Sequence, residues 1–255
     1  MDLGLKDKRI LVTGASRGLG AGIARAVAAE GARVAIAARA SDDLQQVANQ
    51  TRGVALVTDL TASDGPADAA RRAIDALGGL DGLVVNSGGP PTGTFDQLDE
   101  EKWRRAIDGT LLAAIRLIRA SLPALKQGRD AAIVIVLSSS VREPVPGIVT
   151  SNVLRPGLNG LIKSLVGEIA PIRINGIAPG RIDTDRIRSL DGARAAELGV
   201  AVEEVQRTNI ARIPMGRYGE AAEVGRVGAF LLSSAASYVN GVVVAVDGGM
   251  IRSLP

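Results

Sequence analysis

The 255 residues include 30 Lys and Arg against 27 Asp and Glu, a net charge of +3, and contain no cysteine or histidine. This composition excludes disulfides, thiol catalysis and imidazole acid–base chemistry, and with carboxylates as the main remaining metal ligands we expect no metal site. The small positive excess is spread along the chain, which is not the pattern of a nucleic-acid-binding surface.

A length of 255 residues suits one large domain or two small ones, and no linker divides the chain, so we expect a single domain. The first residues, MDLGLKDKR, lack the apolar core of a signal peptide, and no apolar run reaches the roughly 18 residues that a membrane span needs. We therefore expect a cytoplasmic protein that acts on a small molecule and has neither a nucleic-acid nor a membrane partner.

Seven short apolar segments predict β-strands, at 9–14, 33–39, 54–59, 82–88, 131–138, 172–179 and 242–249. Segments with helical spacing lie between them, at 18–30, 41–50, 64–77, 100–126, 152–169 and 220–234. Most of the strand segments are apolar without alternation, as in a parallel sheet that is covered on both faces. The pattern predicts a doubly wound α/β fold of the Rossmann type, with a seven-stranded parallel sheet, in a single domain spanning 1–255.

Segment 183–213 departs from this pattern. It is rich in arginine and acidic residues, and it carries no strand signal. A segment inserted beyond the carboxyl edge of a parallel sheet lies where a substrate lid would be. We therefore predict a short lid at about 183–213.

A glycine-rich turn, TGASRGLG (13–20), follows the first predicted strand directly. Its glycines, Gly14, Gly18 and Gly20, permit a tight turn and a close approach of the backbone to a ligand. The N-terminus of the following helix offers free N–H groups and a positive dipole end to a pyrophosphate. A purely structural turn can also use glycines, but the place of this one favours nucleotide binding.

Two arginines bear on the choice of cofactor. A carboxylate at the end of the second strand would bind the ribose 2′-hydroxyl of NAD, whereas this chain has Ala37 and Ala38 there, followed by Arg39. Arg17 lies in the glycine turn, and two guanidinium groups suit a 2′-phosphate. NADP is therefore favoured, with NAD as the alternative if both arginines are ordinary surface residues.

Further motifs occur along the chain: Asp59-Leu60 after the third strand, Asn86-Ser87-Gly88 after the fourth, INGIAPGRIDT (174–184), PMGRYGEAAEVG (214–225) and VDGG (246–249). Together with TGASRGLG they resemble the short-chain dehydrogenase/reductase family over nearly the whole chain, in the branch that includes 3-oxoacyl-carrier-protein reductases. The resemblance implies a homotetramer or homodimer. It also implies cofactor-binding roles for Gly14, Ser16, Arg17, Gly18, Leu19, Gly20, Arg39, Asp59, Leu60, Asn86, Ser87, Gly88, Arg155, Pro179, Gly180, Ile182 and Thr184.

In the family that this chain resembles, a serine that ends strand five polarises the carbonyl, a tyrosine transfers the proton, and a lysine four residues later binds the nicotinamide ribose. The register of LRPGLNGLIKSL (154–165) places Ser138, Ser151 and Arg155 at these positions. An asparagine of the preceding helix corresponds to Thr110, so only the serine is retained. The catalytic residues predicted by this register are Ser138, Ser151, which would position a water, and Arg155, which would hold the ribose.

No other side chain obviously replaces the missing phenol. Tyr218 and Tyr238 lie in the C-terminal motifs, and Lys163 is roughly 12 Å along a helix from Arg155. Glu143 is either a substitute acid or a solvated loop carboxylate. Three arginines that follow the Pro-Gly turn either attract an anionic substrate or form a charged surface; they are Arg181, Arg186 and Arg188.

Three functions stay open on the sequence alone. The first is an NADP(H)-dependent oxidoreductase of a carbonyl or alcohol, possibly 3-oxoacyl-like, with a non-standard proton donor. The second is a catalytically silent NADP(H)-binding protein that acts as a sensor or scaffold. The third is an enzyme of the same fold that runs a different reaction, such as a lyase or an epimerase.

Overall fold

The computed structural model describes residues 2–253, and seven strands in that range form one parallel sheet in the order β3-β2-β1-β4-β5-β6-β7. The strands are β1 Arg9–Thr13, β2 Arg33–Ala38, β3 Val54–Val57, β4 Gly82–Val85, β5 Ala132–Val136, β6 Arg173–Pro179 and β7 Val243–Val246. All neighbouring strands are parallel, as the apolar segments predicted.

Nine α-helices connect or follow these strands within the described residues. They are α1 Gly18–Ala29, α2 Asp42–Thr51, α3 Gly65–Leu77, α4 Glu100–Ala106, α5 Ala113–Leu125, α6 Val149–Glu168, α7 Asp185–Leu198, α8 Val202–Ile210 and α9 Ala221–Leu232. A π-helical segment, Ile107–Leu112, joins α4 to α5, and a 3₁₀ turn, Ser139–Val141, follows β5. No helix among residues 2–253 has the length and apolar content to cross a membrane.

The helices cover both faces of the sheet and create two apolar layers. One layer is formed with α1, α2 and α9, where Val27 and Leu231 are fully buried. The other is formed with α3, α5 and α6, where Leu117 and Ile162 are fully buried. This double coverage explains why the central strands are apolar at every position. The single-domain doubly wound fold predicted from the sequence is confirmed.

The ends of several strands and helices differ from the predicted ones. Four predicted strands extend two or three residues too far at their carboxyl ends, because the predicted segments included the motif residues of the loops that follow. The predicted helix 100–126 is divided by the π-helical segment, and α6 begins at Val149, three residues earlier than predicted. Pro156 therefore lies inside α6 rather than in its first turn. The charged segment 183–213 contains α7 and α8.

The strand order reverses between β1 and β4, which are direct neighbours. The connections that leave these two strands run to opposite faces of the sheet, which opens a crevice at their carboxyl ends. Ligands of doubly wound sheets bind at such a crevice. The fold therefore predicts that a ligand binds at the loops after β1 and β4.

At the opposite edge of the sheet, the buried carboxylate of Asp81 joins three segments. It accepts hydrogen bonds from Arg9 Nη2 at 2.7 Å, Arg9 Nε at 2.8 Å, the Arg9 amide at 2.9 Å and the Arg129 amide at 2.7 Å. Burial acts to raise the pKa of Asp81, but these donors outweigh it and lower the pKa from 3.8 to about 2. The ionised carboxylate thus holds the starts of β1 and β4 together.

We predict that Asp81→Asn lowers the free energy of unfolding by about 2–3 kcal/mol at pH 7. Because the folded pKa is depressed, this stabilisation is present above the unfolded pKa and is lost as the pH falls from about 4 towards 2. Urea unfolding at pH 7 and at pH 3 should therefore show a smaller difference between wild type and variant at the lower pH. The matched control is Asp75→Asn, an exposed carboxylate 3.5 Å from Arg71, which should change stability by less than about 0.5 kcal/mol. Equal losses for the two variants would contradict the assignment.

Candidate active site

The glycine turn after β1 is packed against the end of β4. Gly14 and Gly18 both have φ of +57°, which side-chain-bearing residues rarely adopt. A Cβ at residue 14 would lie 2.7 Å from the Asn86 carbonyl oxygen, and one at residue 20 would lie 2.4 Å from the Gly14 oxygen. Asn86 Nδ2 donates to the Gly14 oxygen at 2.9 Å, and the Asn86 amide donates to Thr13 Oγ1 at 3.1 Å. Asn86 thus fixes the shape of the turn.

The turn leads into a helix N-terminus that no side chain caps. Arg17 at the N-cap position of α1 is extended, and its side chain makes no capping hydrogen bond. Ser16 and Leu19 beside it are half-buried. Free N–H groups, a positive dipole end and a side-chain-free backbone are what a pyrophosphate requires, so these residues fit a dinucleotide. Gly88, in the loop after β4, borders open space that a Cβ would enter.

The residues after β2 and β3 lie at the end of the crevice where the adenosine is expected. Ala38 ends β2 with no acidic side chain, and Arg39, which follows it, is exposed to solvent. Asp59 accepts from the Thr61 amide at 2.9 Å and from Thr61 Oγ1 at 2.8 Å; these bonds, aided by the charge of Arg39, lower the pKa of Asp59. The carboxylate is therefore oriented and ionised. Leu60 lies at the cavity described below.

Three serine hydroxyls meet where β5 gives way to α6. Ser138 caps the 3₁₀ turn by accepting from the Ser140 amide at 3.1 Å. Ser140 and Ser151 are both buried, and their Oγ atoms are 3.4 Å apart. That distance exceeds the roughly 2.7–2.8 Å of a strong hydroxyl hydrogen bond, so both oxygens keep capacity for a further partner. The sequence placed Ser138 and Ser151 together, but the hydroxyl beside Ser151 is that of Ser140.

Arg155 reaches from the second turn of α6 to the end of β5. Its Nη1 donates to the Val136 oxygen at 2.6 Å and to the Leu137 oxygen at 2.9 Å. Burial, together with the nearby charge of Arg186, lowers the pKa of Arg155 to about 10. The guanidinium is therefore still charged at neutral pH and does not relay protons. Its position ties the active-site helix to the strand that precedes Ser138.

A small cavity of about 10 Å³, close to the size of one water, lies between these elements. Arg155, Thr110, Asn86, Ser87 and Leu60 are among the residues that line it. Thr110 is buried in the π-helical segment, and such segments occur often at functional sites. Thr110 and Arg155, which the sequence register assigned to the asparagine and lysine positions, thus line the same cavity.

The loop after β6 joins the sheet to the lid helices. Gly180 ends this strand so close to β7 that a Cβ there would lie 2.6 Å from Asp247 Cβ. Pro179 and Ile182 are buried, and Thr184 caps α7 by accepting from the Ile187 amide at 3.4 Å. Thr184 Cγ2 lies 3.6 Å from the position that a Cβ of Gly18 would take. The start of the lid thus contacts the glycine turn.

A buried carboxylate holds the lid helices in place. Asp191 of α7 accepts from Arg181 Nη1 at 2.8 Å, Tyr218 Oη at 2.8 Å and Asn209 Nδ2 at 3.0 Å. Burial and the bond to Asp191 raise the pKa of Tyr218. Tyr218 is therefore a neutral structural donor, in keeping with the sequence analysis, which gave it no part in catalysis.

The remaining lid arginines differ in their partners. Arg188 pairs with Asp183 and Asp185, so it belongs to a charged surface. Arg186 instead donates from Nη2 to the Pro90 oxygen at 2.8 Å and spans the gap between α7 and the loop after β4. Glu143 is exposed on the loop after the 3₁₀ turn. The cluster around Asp191 and the contact of Arg186 were not found from the sequence, since neither has a local spacing signal.

The comparisons with known proteins agree with this architecture. A family model described as enoyl-(acyl carrier protein) reductase matches residues 14–251. Human dehydrogenase/reductase SDR family member 4 is 33 % identical over 253 residues, covering 96 % of this chain and 88 % of its own. The Escherichia coli 3-oxoacyl-[acyl-carrier-protein] reductase FabG is 31 % identical over 252 residues, covering 97 % and 99 % of the two chains. This chain belongs to the short-chain dehydrogenase/reductase family.

Solved structures give the same result. The L-sorbose reductase of Gluconobacter frateurii, in complex with NADPH and L-sorbose, superposes with a TM-score of 0.93 at 28 % identity, covering all of both chains. The resemblance predicted from the motifs is thus confirmed, and the chain is a member of a family of oxidoreductases. The roles of Ser138, Ser151 and Arg155 and of the cofactor-binding residues stay predictions.

We predict that Asp191→Ala loosens the lid without unfolding the sheet, because Arg181, Tyr218 and Asn209 lose their common acceptor. Hydrogen exchange of the amides in α7 and α8 should become about tenfold faster or more, while exchange in β1, β4 and β5 stays unchanged. The control is Glu197→Ala, an exposed carboxylate of the same helix that pairs with Arg194. If both variants exchange alike, Asp191 is not what holds the lid.

Proposed function

We propose that this protein is an NADPH-dependent reductase of a carbonyl substrate, or the reverse dehydrogenase, that works without a phenolic proton donor. The observation that carries the proposal is the combination of an ordered glycine turn at the crevice with serine hydroxyls grouped at the end of β5. It acts on a small molecule in the cytoplasm, as a homotetramer or homodimer. A 3-oxoacyl thioester is one candidate substrate, in view of relatives that carry that activity in their names.

The choice of NADPH is supported by charge at the adenosine end. Arg39 is exposed directly after β2, and Arg17 is exposed at the start of α1, 3.6 Å from Asp185. No carboxylate ends β2 to repel a 2′-phosphate. The L-sorbose reductase with the same fold was solved with NADPH. The backbone of residues 14–20, together with Asn86, Gly88 and Thr184, would hold the remaining parts of the dinucleotide.

When bound, the nicotinamide supplies or accepts the hydride. The protein's part is to orient the substrate and to deliver a proton to its oxygen. The hydroxyl of Ser138 donates a hydrogen bond to the carbonyl oxygen, and a water held by Ser140 and Ser151 provides the proton. Arg155 stays charged and fixes the end of β5. Because a positioned acid typically contributes about 10²–10⁴-fold, turnover is expected to be slow.

The second candidate is nucleotide binding without turnover. It is favoured by the guanidinium of Arg155, which is bonded to two backbone oxygens and leaves a cavity of only about 10 Å³ beside Thr110. The two candidates share the cofactor and differ only in catalysis. Saturable binding of NADPH is therefore the requirement for both, and its absence in a fluorescence titration would rule out both.

We predict that Arg39→Ala weakens NADPH binding about tenfold or more and leaves NADH binding within about twofold, because only the 2′-phosphate loses a charged donor. Fluorescence titration with each cofactor measures both constants. Arg33→Ala is the control, since Arg33 is exposed at the opposite end of the same strand. Parallel losses for the two cofactors would refute the role of Arg39.

We predict slow NADPH oxidation with at least one member of a panel of ketones, 3-oxoacyl thioesters and quinones. Ser138→Ala should lower that rate about 10²-fold, the usual cost of losing a donor to a developing oxyanion. Ser164→Ala is the control, because Ser164 lies on the solvent side of α6 and bonds only the Gly160 oxygen. A panel without any turnover above the Ser138→Ala background favours the silent candidate.

The double substitution Ser151→Tyr with Arg155→Lys distinguishes a site that has merely lost its phenol from a site that works with its present side chains. If the site merely lost its phenol, restoring the pair raises the rate. The present proposal expects no rise, because the hydroxyl pair and the bonds from Arg155 to β5 are then both removed.

A further inference from the structure

Two arginines at the crevice lack an acidic partner. Four arginines lie on α6 and around the start of α7, and two of them are paired with carboxylates: Arg181 with Asp191, and Arg188 with Asp183 and Asp185. Among residues 2–253, neither Arg155 nor Arg186 has a carboxylate within ion-pair distance. Asp185, next to Arg186 in sequence, is engaged by Arg17 and Arg188.

The two free charges approach one another from different elements. Arg155 comes from α6 and is anchored at the Val136 and Leu137 oxygens, directly before Ser138. Arg186 comes from the first turn of α7, and its Cζ lies 2.7 Å from the position that a Cβ of Gly89 would take. Both arginines border the loop after β4: Arg155 lines a cavity with Asn86 and Ser87, and Arg186 donates to the Pro90 oxygen at 2.8 Å. Burial and then the charge of Arg186 lower the pKa of Arg155.

Each guanidinium keeps donors free. Within the described chain, Arg155 uses only Nη1 and Arg186 only Nη2 in hydrogen bonds to protein atoms. Arg155 is half-buried, whereas Arg186 is exposed to solvent although desolvation lowers its pKa. Two like charges in such surroundings repel each other, and an anion between them removes the repulsion and fills the unused donors. A planar carboxylate matches the fork of a guanidinium.

We propose that the substrate carries a carboxylate near its carbonyl, and that Arg155 and Arg186 bind this carboxylate while the carbonyl faces Ser138. The inference rests on the proposed function, since it names the substrate class of the same site as an oxo acid or the corresponding hydroxy acid. The anchor of Arg155 beside Ser138 favours the substrate over the cofactor as the source of the anion. The pyrophosphate is expected at the glycine turn, on the N-terminus of α1.

The test is calorimetric titration of the wild-type protein, with and without saturating NADPH, using pyruvate and acetoacetate against their uncharged amides, pyruvamide and acetoacetamide. At least one acid should bind about tenfold tighter than its amide. Arg186→Met should remove that preference and leave the Kd of NADPH within about twofold. Arg188→Met, whose arginine is already paired with two carboxylates, should leave both constants unchanged.

Three results would overturn the inference: equal affinity for acid and amide in the wild type, no binding of either acid, or a loss of NADPH affinity in Arg186→Met with the acid preference kept. The last result would assign Arg186 to the cofactor. The comparison of acid with amide requires no variant, so it stays decisive if Arg186→Met folds poorly. If NADPH fails to bind, the proposed function is wrong, whereas the titration without NADPH still decides whether the carboxylate site exists.

Discussion

The contact between Asn86 and the glycine turn is the constraint on which the nucleotide crevice depends. β1 and β4 are neighbours at the reversal of strand order, and Asn86 ties their two loops by bonds to Gly14 and Thr13. The contact is so close that no side chain larger than hydrogen fits at residues 14 and 20. The same closeness leaves the start of α1 uncapped and open to an anion. Fold and ligand site therefore have one origin.

The sequence predicted the sheet well, because its strands are mostly apolar and a doubly wound fold is the arrangement that buries such strands. The predicted segments ran into the loops that follow, since the polar residues of NSG after β4 and LS after β5 were included with the strands although their side chains belong to the crevice. The division of 100–126 at the π-helical segment was not predictable, because an extra residue in a helical turn has no distinct composition. Long-range contacts could not be predicted for a different reason. Arg186 and Pro90, for example, are 96 positions apart, and no local sequence pattern links them.

On the register predicted from the sequence, Arg155 stands where the family has a lysine, and the two side chains differ in the chemistry that they permit. A lysine is a compact charge whose pKa shifts readily, whereas a guanidinium is planar, broader and remains protonated. In this chain the larger group bonds two carbonyl oxygens at the end of β5, which a proton relay does not require. Arg155 thus fixes the position of the end of β5 and places a permanent positive charge beside it. On the predicted register, the phenol and the lysine are replaced together, by Ser151 and Arg155, and a proton relay has no use without its acid.

Charge in this site is therefore permanent over the physiological range. The chain has no histidine or cysteine, the pKa of Asp59 is lowered, and Arg155 with a pKa of about 10 remains protonated. Tyr218, whose pKa is raised, is occupied with Asp191 in the lid. A fixed pair of positive charges that no local carboxylate neutralises selects ligands by their own ionisation. If the proposed carboxylate site is present, its specificity for anions and its inability to relay protons have the same cause, because guanidinium groups bind carboxylates strongly but do not release protons near neutrality.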